Sequence, residues 1–159
     1  MIIMRPEDRA TARRQLDKRL SSLQNTDAFV RPPRGWLKAI RDALGMTTTQ
    51  LAQRLDVAQS RVVAIEQAET RGTITLNSLE KAAQALDCRL VYVLAPRHSL
   101  EETIEQRALQ VAKKRLKSAG HSMALEAQGV EEADENEQLK RLLNQLIEKG
   151  GSKLWEEDP

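Results

Sequence analysis

Gln59, Ser60 and Arg61 stand side by side in "LDVAQSRVVAIEQ", residues 55–67. A guanidinium can bond guanine through two parallel hydrogen bonds, a carboxamide can do the same with adenine, and a hydroxyl can donate or accept. Ala64, one turn further on, offers only a methyl contact or a close approach. Such groups read a base edge only if a helix presents them together, and only if a second element fixes that helix in place. The flanking sequence must therefore supply a scaffold.

It does so in a regular order. From Trp36 to Leu44 the spacing of Leu37, Ile40 and Leu44 marks one apolar helical face, and Gly45 ends it. In "MTTTQLAQRL" the Thr47 hydroxyl can cap the free N–H groups of a helix running to about Leu55. "DVAQ" is a tight connection, after which Val62 and Ile65 pack one side of the next helix. "AETRGTIT" is a loop. Thr75 then caps a helix with Leu76, Leu79, Ala82, Ala83 and Leu86 on one face. "CRLVYVLAP" follows as the one convincing β-strand, since Leu90, Tyr92 and Leu94 alternate with Val91 and Val93. A lone strand leaves its backbone unpaired. The expected partner is the same strand of a second copy, hence a homodimer; an internal partner around Gly72 to Ile74 stays open.

Composition sets the outer limits. The chain has 159 residues, 40% of them hydrophobic but only 3% aromatic, so Leu, Ala, Val and Ile must build the core. Cys88 is the single cysteine, which excludes an intrachain disulfide framework and suits a reducing, cytoplasmic setting. "MIIMRPED" turns charged after four residues and the longest apolar run, "LVYVLA", is far below a membrane span. Neither a signal peptide nor a membrane helix is expected. The net charge of +2 hides an uneven distribution. Residues 1–41 carry ten Arg and Lys against four Asp and Glu, and residues 119–159 reverse those numbers. A basic front suits a polyanion such as DNA, whereas an acidic rear does not; solvated helix faces account for the same pattern.

Outside the central segment the chain reads as helical. Residues 6–24 show a weak stripe of Ala10, Leu16, Leu20 and Leu23, and "RPPRGW" at 31–36 is a rigid extended connector. Ser99 with Glu102 predicts a capping box, and Leu100, Ile104, Val111 and Leu116 continue a helix to about Ser118. A short helix is expected between Gly120 and Gly129. Leu139, Leu142, Leu143 and Leu146 then form a stripe that suits a dimer seam, a partner-binding helix or a lid on the chain's own core.

The stretch from Leu37 to Val93 resembles the phage-repressor-like helix-turn-helix family. The matching residues are Gly45, Thr47, Leu51, Ala52, Leu55, Val57, Val62, Ile65 and Glu66 in "GMTTTQLAQRLDVAQSRVVAIEQ". The resemblance implies that Thr47 and Thr48 contact the DNA backbone and that Gln59, Ser60, Arg61 and Ala64 face the groove. It also points Glu66 inward, where Arg41 is placed to meet it as a structural ion pair. Two positions depart from the pattern. Ala58 stands where a capping Ser or Thr is common, which should cost about 1 kcal/mol unless Asp56 substitutes, and Asp56 itself stands where Gly is common. Arg31, Arg34 and Lys38 are the candidates for phosphate contacts, with a solvated basic loop as the alternative.

Over nearly its whole length the chain also resembles the mobile mystery protein A family, through "RPPRGWLKAIRDALGMTTTQLAQRL", "GTITLNSLEKAAQALDCRLVYVLAPR" and "HSMALEAQ". That resemblance implies a regulator encoded beside mobile mystery protein B, which carries a Fic domain. The central part is similar to the DNA-binding antitoxin of the persistence-kinase module, in which the strand after the fourth helix pairs across a dimer. Fic enzymes transfer a nucleotide, usually AMP, onto hydroxyl side chains, and many are restrained by a helix of pattern Ser/Thr-x-x-x-Glu-Gly/Asn. "SMALEA" puts Ser122 and Glu126 at i and i+4, but Ala127 breaks the last position. An ordinary amphipathic helix, with Met123 and Leu125 against neighbours, fits equally.

Catalysis by the chain itself is not expected. His98 and His121 lack ligand-spaced companions, and no Gly-rich phosphate loop or Gly-x-Ser-x-Gly turn appears. The resulting expectation is an all-α chain without metal or cofactor. A helix-turn-helix domain with one C-terminal β-strand pairing across a homodimer occupies 31–96, an N-terminal helical extension occupies 1–30, and an acidic helical region for a partner occupies 97–159. Its function would be sequence-specific binding of double-stranded DNA by an autorepressing antitoxin with a Fic-domain partner. The rivals are a stand-alone transcription regulator and a protein inhibitor whose DNA binding is secondary.

Overall fold

The computed structural model describes residues 4–123 and 132–156. Its helices are α1 (Pro6–Leu20), α2 (Trp36–Ala43), α3 (Thr48–Leu55), α4 (Gln59–Arg71), α5 (Leu76–Ala85), α6 (Leu100–Met123) and α7 (Glu132–Lys149). Short 3-10 turns follow α1 at Ser21–Leu23 and α7 at Gly151–Trp155. The chain divides into two compact units, one formed by Thr26–Leu94 and the other by the segments up to Asn25 and from Ala95 onward. α1 therefore folds with the C-terminal helices.

In the central unit, α2 to α5 close around Leu37, Leu51, Ala52, Val62, Ala82 and Leu86, with Ile40, Met46, Leu55, Ile65 and Leu79 packed against them. Local signals set the helix ends. Thr47 accepts from the Gln50 N–H at 3.1 Å while the Gln50 side chain accepts from the Thr47 N–H at 2.9 Å, a complete capping box. Thr75 accepts from the Ser78 N–H at 3.2 Å. Gly72 ends α4 at a φ of 73°, a backbone conformation that a side chain disfavours.

The other unit is built on Ala108 and Ala112, both fully buried and one turn apart on α6, so that Leu146 of α7 and Leu154 of the 3-10 turn after it can approach closely. Leu139, Leu142 and Leu143 pack against the same cluster. The leucine stripe is thus the lid of its own core. α1 is fastened to the start of α6, where Asp17 accepts the Leu100 and Glu101 N–H groups at 2.6 and 3.1 Å and Arg13 pairs with Glu101 at 3.0 Å. Ser99 also caps this helix through the Glu102 N–H at 3.0 Å.

The expected β-strand at 89–95 is not formed, and no strand occurs among the described residues. The physical reason is the lack of a partner. Thr73 and Ile74, the internal partner left open by the sequence, donate their N–H groups to the Ala68 carbonyl at 2.9 and 3.2 Å instead. No backbone–backbone hydrogen bond reaches residues 89–96 among those described. Val91, Tyr92 and Leu94 are left 59%, 71% and 84% exposed.

A second difference concerns Gly120. It was expected to separate two helices, yet α6 runs through it to Met123. A helix tolerates one glycine at a cost of about 1 kcal/mol, and the packed face of α6 outweighs that. The remainder of the expected short helix, with Glu126, lies outside the described residues. No helix among the described residues is long and apolar enough to cross a membrane.

Candidate nucleic-acid interface

α3 and α4 are joined by a turn whose pivot is Asp56, at a φ of 54° in the left-handed region. Asparagine and aspartate tolerate that region better than most residues, so Asp56 stands in for the glycine common there. It closes α3 by donating its N–H to the Ala52 and Gln53 carbonyls. It does not cap α4. That helix begins at Ala58 with no side-chain cap, so the expected loss of a cap stands without substitution.

α4 is two-faced. Val62, Glu66 and Glu69 are buried, while Gln59, Ser60, Arg61 and Ala64 are exposed. Gln59 donates from its side-chain nitrogen to the Thr48 hydroxyl at 2.8 Å. Two residues expected at the interface are thereby brought together across the turn, and the carboxamide is oriented before any ligand arrives. Arg61 makes no hydrogen bond or ion pair among the described residues. Thr47 spends its hydroxyl on the cap, but its place at the α3 N-terminus is still at the surface.

Behind this face sits the expected ion pair. Arg41 donates from Nε to one Glu66 oxygen at 2.6 Å and from Nη2 to the other at 3.2 Å, and from Nη1 to the Met46 carbonyl at 2.8 Å. Asp42 lies 2.9 Å from the same Nη1. Both Arg41 and Glu66 are buried. The bond to Glu66 is the main cause that raises the Arg41 pKa above its ordinary value. A forked pair of this kind fixes α4 against α2 in one orientation.

The three expected phosphate contacts part company. Arg31, although exposed, bonds the Glu69 carbonyl and the Thr70 carbonyl, the latter at 3.1 Å. It caps the C-terminus of α4. Arg34 and Lys38 instead line an open groove of about 310 Å³ together with Gln67, Thr70 and Arg71. Arg71 is a cation that the sequence reading placed in the "AETRGTIT" loop; α4 instead runs through it and ends at Gly72, which puts it in the last turn of that helix.

Glu69 was also missed. It is 3% exposed, and its carboxylate accepts the Trp36 and Leu37 N–H groups, each at 2.9 Å. The start of α2 is therefore capped from α4. Gly35 makes room for this, because a Cβ there would sit 2.6 Å from Glu69 Oε1. Glu69 lies three residues after Glu66 and shares its inward face because α4 runs on to Arg71, where the sequence reading had placed a loop. Ser122 lies in the last turn of α6; its supposed companion Glu126 is outside the described residues.

Comparison with known proteins supports the central unit alone. No curated protein and no solved structure matches the chain. Residues 37–93 match a family model described as helix-turn-helix, and the chain carries a helix-turn-helix domain over that span.

Proposed function

We propose that the protein is a transcription regulator that binds double-stranded DNA in the major groove through the first turn of α4. The observation that carries this reading is the exposed set Gln59, Ser60 and Arg61, with Gln59 already fixed on Thr48 at 2.8 Å. Arg61 reads guanine, Gln59 adenine, and Ser60 a neighbouring edge. Thr47 and Thr48, together with Arg34 and Lys38, meet phosphates and set the register.

The protein acts as a homodimer in this reading. Its support is the apolar segment 90–94, of which residues 90–93 border a groove of about 410 Å³ with Phe29, Trp36, Ile74 and Leu76. Pairing of that segment with its copy forms the strand that a single chain cannot form. The two α4 helices then enter successive major grooves about 34 Å apart, which calls for a palindromic site. Autorepression, an antitoxin role and a Fic-domain partner restrained through Glu126 extend the proposal, and these rest on the sequence resemblance alone. A Fic motif in the adjacent reading frame distinguishes them from a stand-alone regulator.

Selection from random duplex DNA tests the reading. Enrichment of a palindrome with half-sites one helical turn apart is expected. Recovery of no preferred sequence contradicts it.

A further inference from the structure

From Arg107 to its end at Met123, α6 carries no Asp or Glu, although the C-terminal region as a whole is acidic. A helix turn of about 3.6 residues puts Arg107, Gln110, Val111, Lys114, Arg115 and Ser118 on one face of α6. That face is one wall of a groove of about 620 Å³, and Lys153 and Glu156, in and just after the last 3-10 turn, form the other. The whole groove belongs to the unit that lacks the helix-turn-helix. Lys113 and Lys117 lie off this face and take no part in the lining.

The fold holds both walls in place. Arg107 donates from Nε to the Leu154 carbonyl at 2.5 Å and from Nη2 to the Glu156 carbonyl at 3.3 Å, which ties the last turn to α6. Leu154, 1% exposed, fastens the same turn into the core with Ala108 and Ala112. Carbonyl partners leave the charge of the Arg107 guanidinium unneutralised. Arg115 and Lys153 are exposed and make no hydrogen bond or ion pair among the described residues. Together with Lys114 these cations face the single carboxylate of Glu156. A concave site lined by one sign of charge concentrates counter-ions, and the volume falls in the range of about 300–1,000 Å³ usual for small-molecule sites.

We infer that this groove binds a small molecule carrying two or more phosphoryl groups, gripped from opposite walls by Arg115 and Lys153. A guanidinium fork matches phosphate geometry, and an ammonium meets it as a point charge. A phosphate monoester carries a charge of about −1.5 to −2 at neutral pH. Four cations opposed by one carboxylate therefore exceed what a single phosphoryl group balances, and a pair balances them. Val111 is the one apolar residue in the lining, so the ligand is recognised by its charge and not by an apolar body. The inference goes beyond the reading of α4 and does not depend on it.

The test titrates the full chain with inorganic pyrophosphate by isothermal titration calorimetry at one salt concentration. Saturable binding of one pyrophosphate per chain is expected. Arg115→Gln with Lys153→Gln removes two charge-assisted hydrogen bonds and should weaken binding about tenfold or more. Lys113→Gln with Lys117→Gln removes the same charge away from the groove and should change it by no more than about twofold, as screened surface charges do. Glu156→Gln removes the opposing carboxylate and should tighten binding. Glutamine keeps helix propensity, and unchanged far-ultraviolet circular dichroism is the control for folding. Citrate, a polyanion without phosphoryl groups, should bind more weakly than pyrophosphate. Absence of saturable binding overturns the inference, as does equal weakening by the two double substitutions, which would mean general attraction to a basic helix. Weaker binding in Glu156→Gln overturns it too, and citrate binding as tightly as pyrophosphate overturns the assignment to phosphoryl groups.

Discussion

Removing the Glu69 carboxylate should unfasten α2 from α4. It accepts two N–H groups at 2.9 Å in a site that is 3% exposed. In Glu69→Ala the Leu37 N–H is left buried without a partner, which costs about 1–3 kcal/mol. The Trp36 N–H is only partly buried, so water recovers much of its loss, and the missing cap adds about 1 kcal/mol. The expected destabilisation is about 2–4 kcal/mol, and Glu69→Gln, which keeps one acceptor of nearly the same size, should lose roughly half of that. Urea unfolding at fixed protein concentration reports it through Trp36 fluorescence. A Trp155→Phe background removes the other tryptophan, which belongs to the other unit. A Glu69→Ala midpoint that corresponds to less than about 0.5 kcal/mol, the scatter of ordinary surface substitutions, refutes the reasoning.

Three further outcomes follow from neighbouring features. Ala58→Ser supplies the side-chain cap that α4 lacks and should stabilise the central unit by about 1 kcal/mol, seen as a higher urea midpoint. Arg41→Ala strands the buried Glu66 carboxylate and should cost about 3–5 kcal/mol, whereas Arg41→Met with Glu66→Leu should recover most of it in a double-mutant cycle. Val91→Asp with Tyr92→Asp places carboxylates where the apolar segments of two copies would pair, and sedimentation equilibrium should report a monomer. A dimer persisting in that variant places the interface elsewhere.

What was legible in the sequence was what is local. Thr47, Thr75 and Gly45 act within a few residues of themselves, so their helix boundaries followed from residue type. Arg41 and Glu66 could be paired because the resemblance to the helix-turn-helix family implies an inward Glu66, with Arg41 placed on the first helix to meet it. Glu69 and Asp17 cap helices that begin more than thirty residues away in sequence, at Trp36 and Leu100, and no local pattern reveals such a partner. Arg31 showed only its charge in the sequence, while the carbonyls it bonds belong to the far end of α4. The alternation at 90–94 correctly marked an apolar segment. It did not make a strand, because strand formation depends on a second backbone. Gly120 was misread as a stop because propensity was weighed without the packed alanines that hold α6 together.

The central claim is that the first turn of α4 reads DNA bases, and Arg61→Ala tests it most directly. Arg61 is exposed and bonds nothing else among the described residues, so its removal should leave the fold intact. Selection from random duplexes with wild type and variant should give the same palindrome except at one position in each half-site, where preference falls by about 1–3 kcal/mol. An unchanged selection profile would contradict the account and move base reading away from this helix.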